Sequence, residues 1–238
     1  MESGRAEAFS DGVFAIAITL LILSLRLPGP RPGCPTLTCQ LLQAWPQYFA
    51  YVVSFLTIGI MWMNHHTIFG HVSRVDRPLL VLNLLLLMGV VAIPFPTALI
   101  AEHLRDAGGT AATVTYGLVM IAISAAFAGI WVYVVTHAPS LGAVVPQGAL
   151  RQSVPGFTLG GAVYVAGTLI AAFFSAIAGL IIFGLLAVYY LFEHLPDPGA
   201  EAGAGPVGAG SPGTPDSPDS PAGPRGDDHR EGPGPERT

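Results

Sequence analysis

The chain has 238 residues, of which 52% are hydrophobic and 11% charged, and its net charge is −5. Soluble domains carry about 25% charged residues, so the composition excludes an ordinary water-solvated domain and points to lipid as the solvent. The negative balance sits largely in the C-terminal tail; there is no lysine, and nothing resembles the basic footprint of a nucleic-acid binder.

A helix that spans a bilayer needs roughly 20 mostly apolar residues. The first such segment runs over 6–25. Its apolar stretch resembles a signal peptide only in part. Arg5 is offset by Glu2 and Glu7, and Leu27-Pro28-Gly29-Pro30 follows where small residues would mark a cleavage site, so an uncleaved span is expected. A Pro-rich loop with Cys34 and Cys39 comes next. A local disulfide there requires an oxidising side, two free thiols are the alternative, and the spacing is a poor metal signal. The second helix is expected over 44–65, with Trp45 and Tyr48 as interfacial anchors. A short polar stretch leads to Pro78, a good first-turn residue, and to a third helix over 79–100. Pro94-Phe95-Pro96 should kink or end that helix. A fourth helix is expected over 110–136. The apolar run 156–192 is long for one span, and dividing it near Ser175 yields a fifth and a sixth.

These elements predict an all-α membrane protein with six transmembrane helices over 1–195. The tail from 196 to 238 is Pro, Gly, Ser and acidic residues with almost nothing to bury, so disorder is expected there. Six spans place both termini on one side, with Arg5, Arg74, Arg77 and Arg151 against Arg26, Arg31 and Arg105 on the other. The positive-inside rule then favours cytoplasmic termini.

Asp11 is the informative residue. At 1.5 Å per residue it lies about 21 Å below the far end of the first helix, inside a hydrocarbon core about 30 Å thick. A mid-membrane Asp costs roughly 2.5–3.5 kcal/mol on insertion scales, so partners are expected. Glu7, one turn away, is a like charge. Antiparallel threading brings His65 and Asn83 to a similar depth. A polar network of Asp11, His65 and Asn83, joined by Ser10 and Arg5, would tie the first three helices together. If Asp11 instead snorkels to water, His65 and His66 are merely interfacial. On a helical wheel Ile16, Leu20 and Leu23 lie about 140°, 180° and 120° from Asp11, with Thr19 at about 80°. That seam faces either lipid or a symmetry axis, where it would form a dewetting constriction.

Arg5-x-x-x-Phe9-Ser10-Asp11-Gly12-Val13-Phe14-Ala15-Ile16-Ala17-Ile18-Thr19 resembles the opening signature of the prokaryotic transmembrane protein 175 family, relatives of the endolysosomal potassium channel. Trp62-x-x-His65-x-x-x-Phe69 is similar to that family's second helix, and Asn83-Leu84 with Pro94-Phe95-Pro96 to its third. The resemblance implies a potassium-permeable cation channel of the prokaryotic cell membrane. It also implies a homotetramer whose first helix lines a central pore, with Ile16, Leu20 and Leu23 as the constriction and Thr19 beside them. Arg5, Phe9, Ser10, Asp11, Trp62, His65 and Asn83 would form the structural network. Potassium would be the permeant ion, and neither a metal site nor another cofactor is implied.

Three other features bear on function. Thr113-Val114-Thr115-Tyr116-Gly117 is one substitution from a carbonyl filter. Thr115, however, stands where that filter's conformation needs glycine, and the segment opens straight into an apolar helix. A secondary transporter should show internal repeats and helices broken at mid-membrane, and neither is evident. An enzyme is not expected, because Asp11 and His65 have no nucleophile or metal cluster beside them.

Overall fold

The computed structural model describes residues 3–26, 29, 33–143 and 149–193, with side chains at all of these except 149–158 and 193. Helix α1 covers Ser3–Leu20 and tightens into a 3-10 turn over Leu21–Ser24. A short helix α2, Leu37–Gln43, begins where the Thr36 hydroxyl accepts from the Cys39 N–H, and Cys34 and Cys39 form a disulfide. Helix α3 spans Trp45–Gly70 and α4 spans Arg77–Ala92. Asp76 caps α4 through the Leu79 N–H at 3.1 Å. Helix α5, Pro94–His103, continues α4 after a kink: Pro94 has no N–H to return to Val90, and Ile93 N bonds Val90 O at 3.1 Å instead. Helix α6 covers Gly109–Thr136, and α7 is the single turn Ala138–Leu141, ended by Gly142 at φ 58°. Helices α8, Ala149–Phe173, and α9, Ala176–Glu193, complete the described chain.

Among the described residues, Ser3–Ser24, Trp45–Gly70, Arg77–His103 and Gly109–Thr136 are long and apolar enough to cross a membrane, while the apolar parts of α8 and α9 are shorter. The chain is thus all-helical with at least these candidate spans. The break near Ser175 falls between α8 and α9, where the Ser175 hydroxyl accepts from Ala178 N. The expected tail lies outside the described residues, as do Arg31 and the side chain of Arg151.

Several helices extend beyond their expected ends. The second runs to Gly70, because Thr67-Ile68-Phe69 is still apolar enough to pack, and Ile68 and Phe69 are buried. His65 therefore sits inside α3 rather than at its end. Neither α2 nor α7 was expected; both are too short for apolar periodicity to reveal. The Thr113–Gly117 segment lies inside α6, so its carbonyls serve that helix's own hydrogen bonds.

Helix α1 packs on α3 and α4, and α6 packs against α4, α5, α8 and α9. Small residues allow the closest approaches, as is usual where lipid removes the hydrophobic drive between helices. A Cβ on Gly179 of α9 would stand 2.7 Å from the Gly167 carbonyl of α8. At the N-terminal end Ser3 N reaches Ser73 O, and Ser73 and Arg74 donate backbone bonds to Leu141 O. That end therefore gathers the start of α1, the α3–α4 turn and α7.

Candidate functional site

Helix α1 has two faces. Ser3, Ala6, Ser10, Phe14 and Ala17 are buried, and Leu21 and Ser24 continue the stripe into the 3-10 turn. The repeat of three and four residues, with small groups at Ala6, Ser10 and Ala17, lets the backbone approach α3 and α4 closely. The other face is uncovered in the protomer: Ile16 is 58% exposed, Leu20 39% and Leu23 66%. Phe9, also 58% exposed, lies within about 20° of Ile16 on the wheel and so belongs to this uncovered face. Thr19 is exposed and donates its hydroxyl to the Ile16 carbonyl at 2.9 Å.

On the buried face one chain of hydrogen bonds crosses three helices. Ser10 Oγ donates to the Ala6 carbonyl at 2.8 Å. With its proton committed, Ser10 can only accept from elsewhere, and Asn83 Nδ2 donates to it at 2.9 Å. That fixes the Asn83 amide, whose Oδ1 faces His65 Nε2 at 2.9 Å. Because Oδ1 can only accept, His65 must carry its hydrogen on Nε2. Its Nδ1 is buried without a hydrogen-bond partner, beside the rings of Phe14 at 5.4 Å and Phe69 at 4.2 Å. A bare ring nitrogen fits that apolar slot better than an N–H with no acceptor would. All donors therefore point one way, from α3 through α4 to α1.

Asp11 takes a different partner from the one that depth alone suggests. It is half-buried and accepts from Trp62 Nε1 at 2.9 Å. Ser10 occupies the middle of the contact stripe, and Asp11, about 100° further round, falls on its shoulder against the edge of α3. A hydrogen bond to a charged group contributes about 1.5–3 kcal/mol, comparable with the insertion cost of the carboxylate. One turn closer to the N-terminus, Glu7 Oε1 lies 2.7 Å from His66 Nδ1, and the His66 ring stacks on Trp62 at 6.1 Å. Arg5 is exposed, and among the described residues no ion pair joins it to Asp11 or Glu7. The structure thus brings together Ser10, His65 and Asn83, sets Asp11 with Trp62, and leaves Arg5 and Phe9 outside both groups.

The Glu7–His66 pair was not anticipated, although the shared i, i+4 spacing of Trp62–His66 and Glu7–Asp11 offered a signal for it. A second buried polar group, Ser54 with Thr97 at 2.8 Å and Tyr116 at 3.3 Å, joins α3, α5 and α6. No sequence cue marks it, since isolated Ser and Thr are common in membrane helices. Among the described residues no cluster of His, Cys, Asp and Glu could hold a metal ion.

The helices that share the polar chain coincide with a known family. The sequence model described as endosomal/lysosomal potassium channel TMEM175 matches residues 5–94. A potassium channel of Streptomyces collinus is 50% identical over 207 residues, which cover 85% of this chain and 98% of that one. The chain belongs to the TMEM175 family. A potassium channel of Chamaesiphon minutus is 43% identical over 158 residues, covering 66% of this chain and 76% of the relative. The crystal structure of a lysosomal potassium-selective channel TMEM175 homolog from Chamaesiphon minutus superposes with a TM-score of 0.69 at 35% identity, covering 80% of this chain and 97% of that one. The resemblance first read from Arg5 to Thr19 therefore extends through most of the chain. As a TMEM175 member the protein is a membrane channel rather than an enzyme, and the family match takes in α1, α3 and α4.

Proposed function

We propose that this TMEM175 protein is a passive, potassium-permeable cation channel whose pore is lined by the uncovered face of α1. The observation that carries this reading is the division of that helix. Ser10 is pinned to α4 on one side, while Ile16, Leu20 and Leu23 are exposed on the other. The named potassium channels among its relatives support the ion. Four copies around an axis would turn the seam into stacked apolar rings, a dewetting constriction that water and ions cross only when it widens. Thr19 spends its proton on the Ile16 carbonyl, so its oxygen presents lone pairs, the polarity a cation prefers. Conduction of this kind needs no resident cofactor.

Six spans per chain, counting α8 and α9, complete the proposed homotetramer and put both termini on one side. The disulfide at Cys34 lies at the opposite end of α1 from Ser3. Disulfides persist outside reducing cytosol, which supports cytoplasmic termini in a prokaryotic plasma membrane.

The test is reconstitution into planar bilayers with potassium/sodium gradients. A reversal potential favouring potassium is expected, and Leu20→Asn should raise the current several-fold by wetting the constriction. Absence of current, or currents indifferent to Ile16→Asn and Leu20→Asn, would overturn the proposal.

A further inference from the structure

Arg5 and Phe9 stand outside both polar groups of the motif, and they share one side of α1. At 100° per residue Arg5 lies about 40° from Phe9, 20° from Ile16 and 60° from Leu20. It is exposed, as those three are, and among the described residues no ion pair holds it. The backbone between is open as well: a Cβ on Gly12, about 20° from Arg5, would meet nothing within 4 Å. Arg5 therefore belongs to the apolar seam of α1, roughly 16 Å on the N-terminal side of Ile16 at 1.5 Å per residue.

The segment from Arg5 to Asp11 carries one arginine and two carboxylates, so its composition promises no positive field. Azimuth decides otherwise. Glu7 lies about 160° from Arg5 and Asp11 about 120°. Both are held by α3, Glu7 by His66 Nδ1 at 2.7 Å and Asp11 by Trp62 Nε1 at 2.9 Å. The acids thus face α3 and the base faces the seam. On the adjoining turn, which Ser3 N joins at Ser73 O, the exposed Arg74 and Arg77 outnumber Asp76 and add to the same sign. At the opposite end Arg26 and Arg105 are engaged: Arg26 stands 3.9 Å from Glu102, and Arg105 lies over the Trp45 ring at 5.1 Å.

We propose that Arg5 sets conductance: its copies form a ring of positive charge at the N-terminal mouth of the pore, which thins the cations there and makes the channel pass them less readily from that side than from the other. This rests on the pore reading given above. Rings of fixed charge act on a pore through the local ion concentration. Four unit charges one Debye length from a cation on the axis, about 8 Å at 0.15 M salt, lower its concentration about three- to fourfold in water. At 1 M salt, where the Debye length is about 3 Å, the same ring changes it by less than about 1.5-fold.

Single-channel recording of the full chain in planar bilayers tests this, with Leu20→Asn recorded alongside. Cys34 and Cys39 are bonded to each other, so the thiol introduced by Arg5→Cys can be modified alone. At 0.15 M KCl Arg5→Cys should raise the current in one sense about threefold, and at 1 M by less than about 1.5-fold. An impermeant cationic methanethiosulfonate, acting from one side of the bilayer only, should restore the wild-type current; an anionic one should raise the current further. If Arg5→Cys fails to assemble, the wild-type ratio of currents in the two senses serves, since it should approach unity between 0.15 M and 1 M salt. Arg5→Cys without effect where Leu20→Asn is effective overturns the ring and leaves the pore reading standing. Leu20→Asn without effect overturns the pore reading and the ring with it. An Arg5→Cys effect that is equal at both salts and indifferent to the charge of the reagent shows a merely structural arginine and overturns the ring, as does a wild-type ratio that salt leaves fixed.

Discussion

Replacing Asn83 by Ala should destabilise the protomer by about 2 kcal/mol, because the change strands a buried donor rather than merely deleting a bond. In the native chain Asn83 accepts from His65 and donates to Ser10. His65 is 1% exposed, so without Asn83 its Nε2–H has no water to turn to, and an unsatisfied buried donor costs about 1–3 kcal/mol. Ser10 suffers less, because its own proton stays on the Ala6 carbonyl. Ser10→Ala strands only one Asn83 N–H and should cost about 1 kcal/mol. The two changes share one bond, and membrane hydrogen bonds measure about 0.6 kcal/mol on average and about 1.7 at most in double-mutant cycles. The double variant should therefore fall short of the sum by that amount. Asn83→Asp should do no better than Asn83→Ala, since a carboxylate accepts from His65 but offers Ser10 a second acceptor. The assay is unfolding of the detergent-solubilised protein by SDS titration, with variants compared at their midpoints. Additivity within about 0.3 kcal/mol, or an Asn83→Asp variant as stable as wild type, would refute the one-way hydrogen-bond chain.

Other consequences are independent of that chain. Thr19→Val keeps the shape but removes the oxygen lone pairs, so potassium/sodium discrimination in reversal-potential measurements should fall while current persists. Asp76 is subject to partial burial, the largest single influence, which raises its pKa. The Tyr133 hydroxyl at 2.6 Å, the Leu79 N–H, the Asp76 backbone N–H and the charge of His137 together outweigh that effect and hold the carboxyl below its ordinary 3.8. Its contribution is then fully present above about pH 4 and lost as pH falls through the depressed value. Asp76→Ala should cost about 1 kcal/mol at neutral pH, the usual worth of a helix cap, and the difference from wild type should shrink in melts run at lower pH. Cys34 and Cys39 should resist maleimide in intact spheroplasts until a reductant is added and should then react with an impermeant reagent. Immediate labelling without reductant would show free thiols, and labelling only after lysis would place the loop in the cytoplasm.

Much of the arrangement was legible from one-dimensional features. Apolar run length marked the spans, Pro94 marked the α4–α5 kink, and the polar residue at 175 marked the break before α9. Other features were not legible. His65 was expected at a helix end and lies within α3, because apolar length is a blunt measure where Thr, Ile and Phe follow a His pair. Two cysteines in a Pro-rich loop do not reveal whether their Cβ atoms face each other; the turn before α2 brings their Cα atoms to 5.4 Å. Depth directs Asp11 to His65 and Asn83, whereas the structure gives it Trp62, on the same α3 as His65.

Sequence alone determined depth. The rise per residue is constant along a helix, so Asp11, His65 and Asn83 could be placed at one level of the membrane without knowing how the helices pack. Tertiary structure decided azimuth and enclosure. A step of 100° separates Ser10 from Asp11, and only the packing of α1 against α3 and α4 selects which of them meets Asn83. The pocket between α3, α6, α8 and α9 is likewise invisible in sequence, because it is bounded by residues from four helices, and no local rule specifies how closely their surfaces meet.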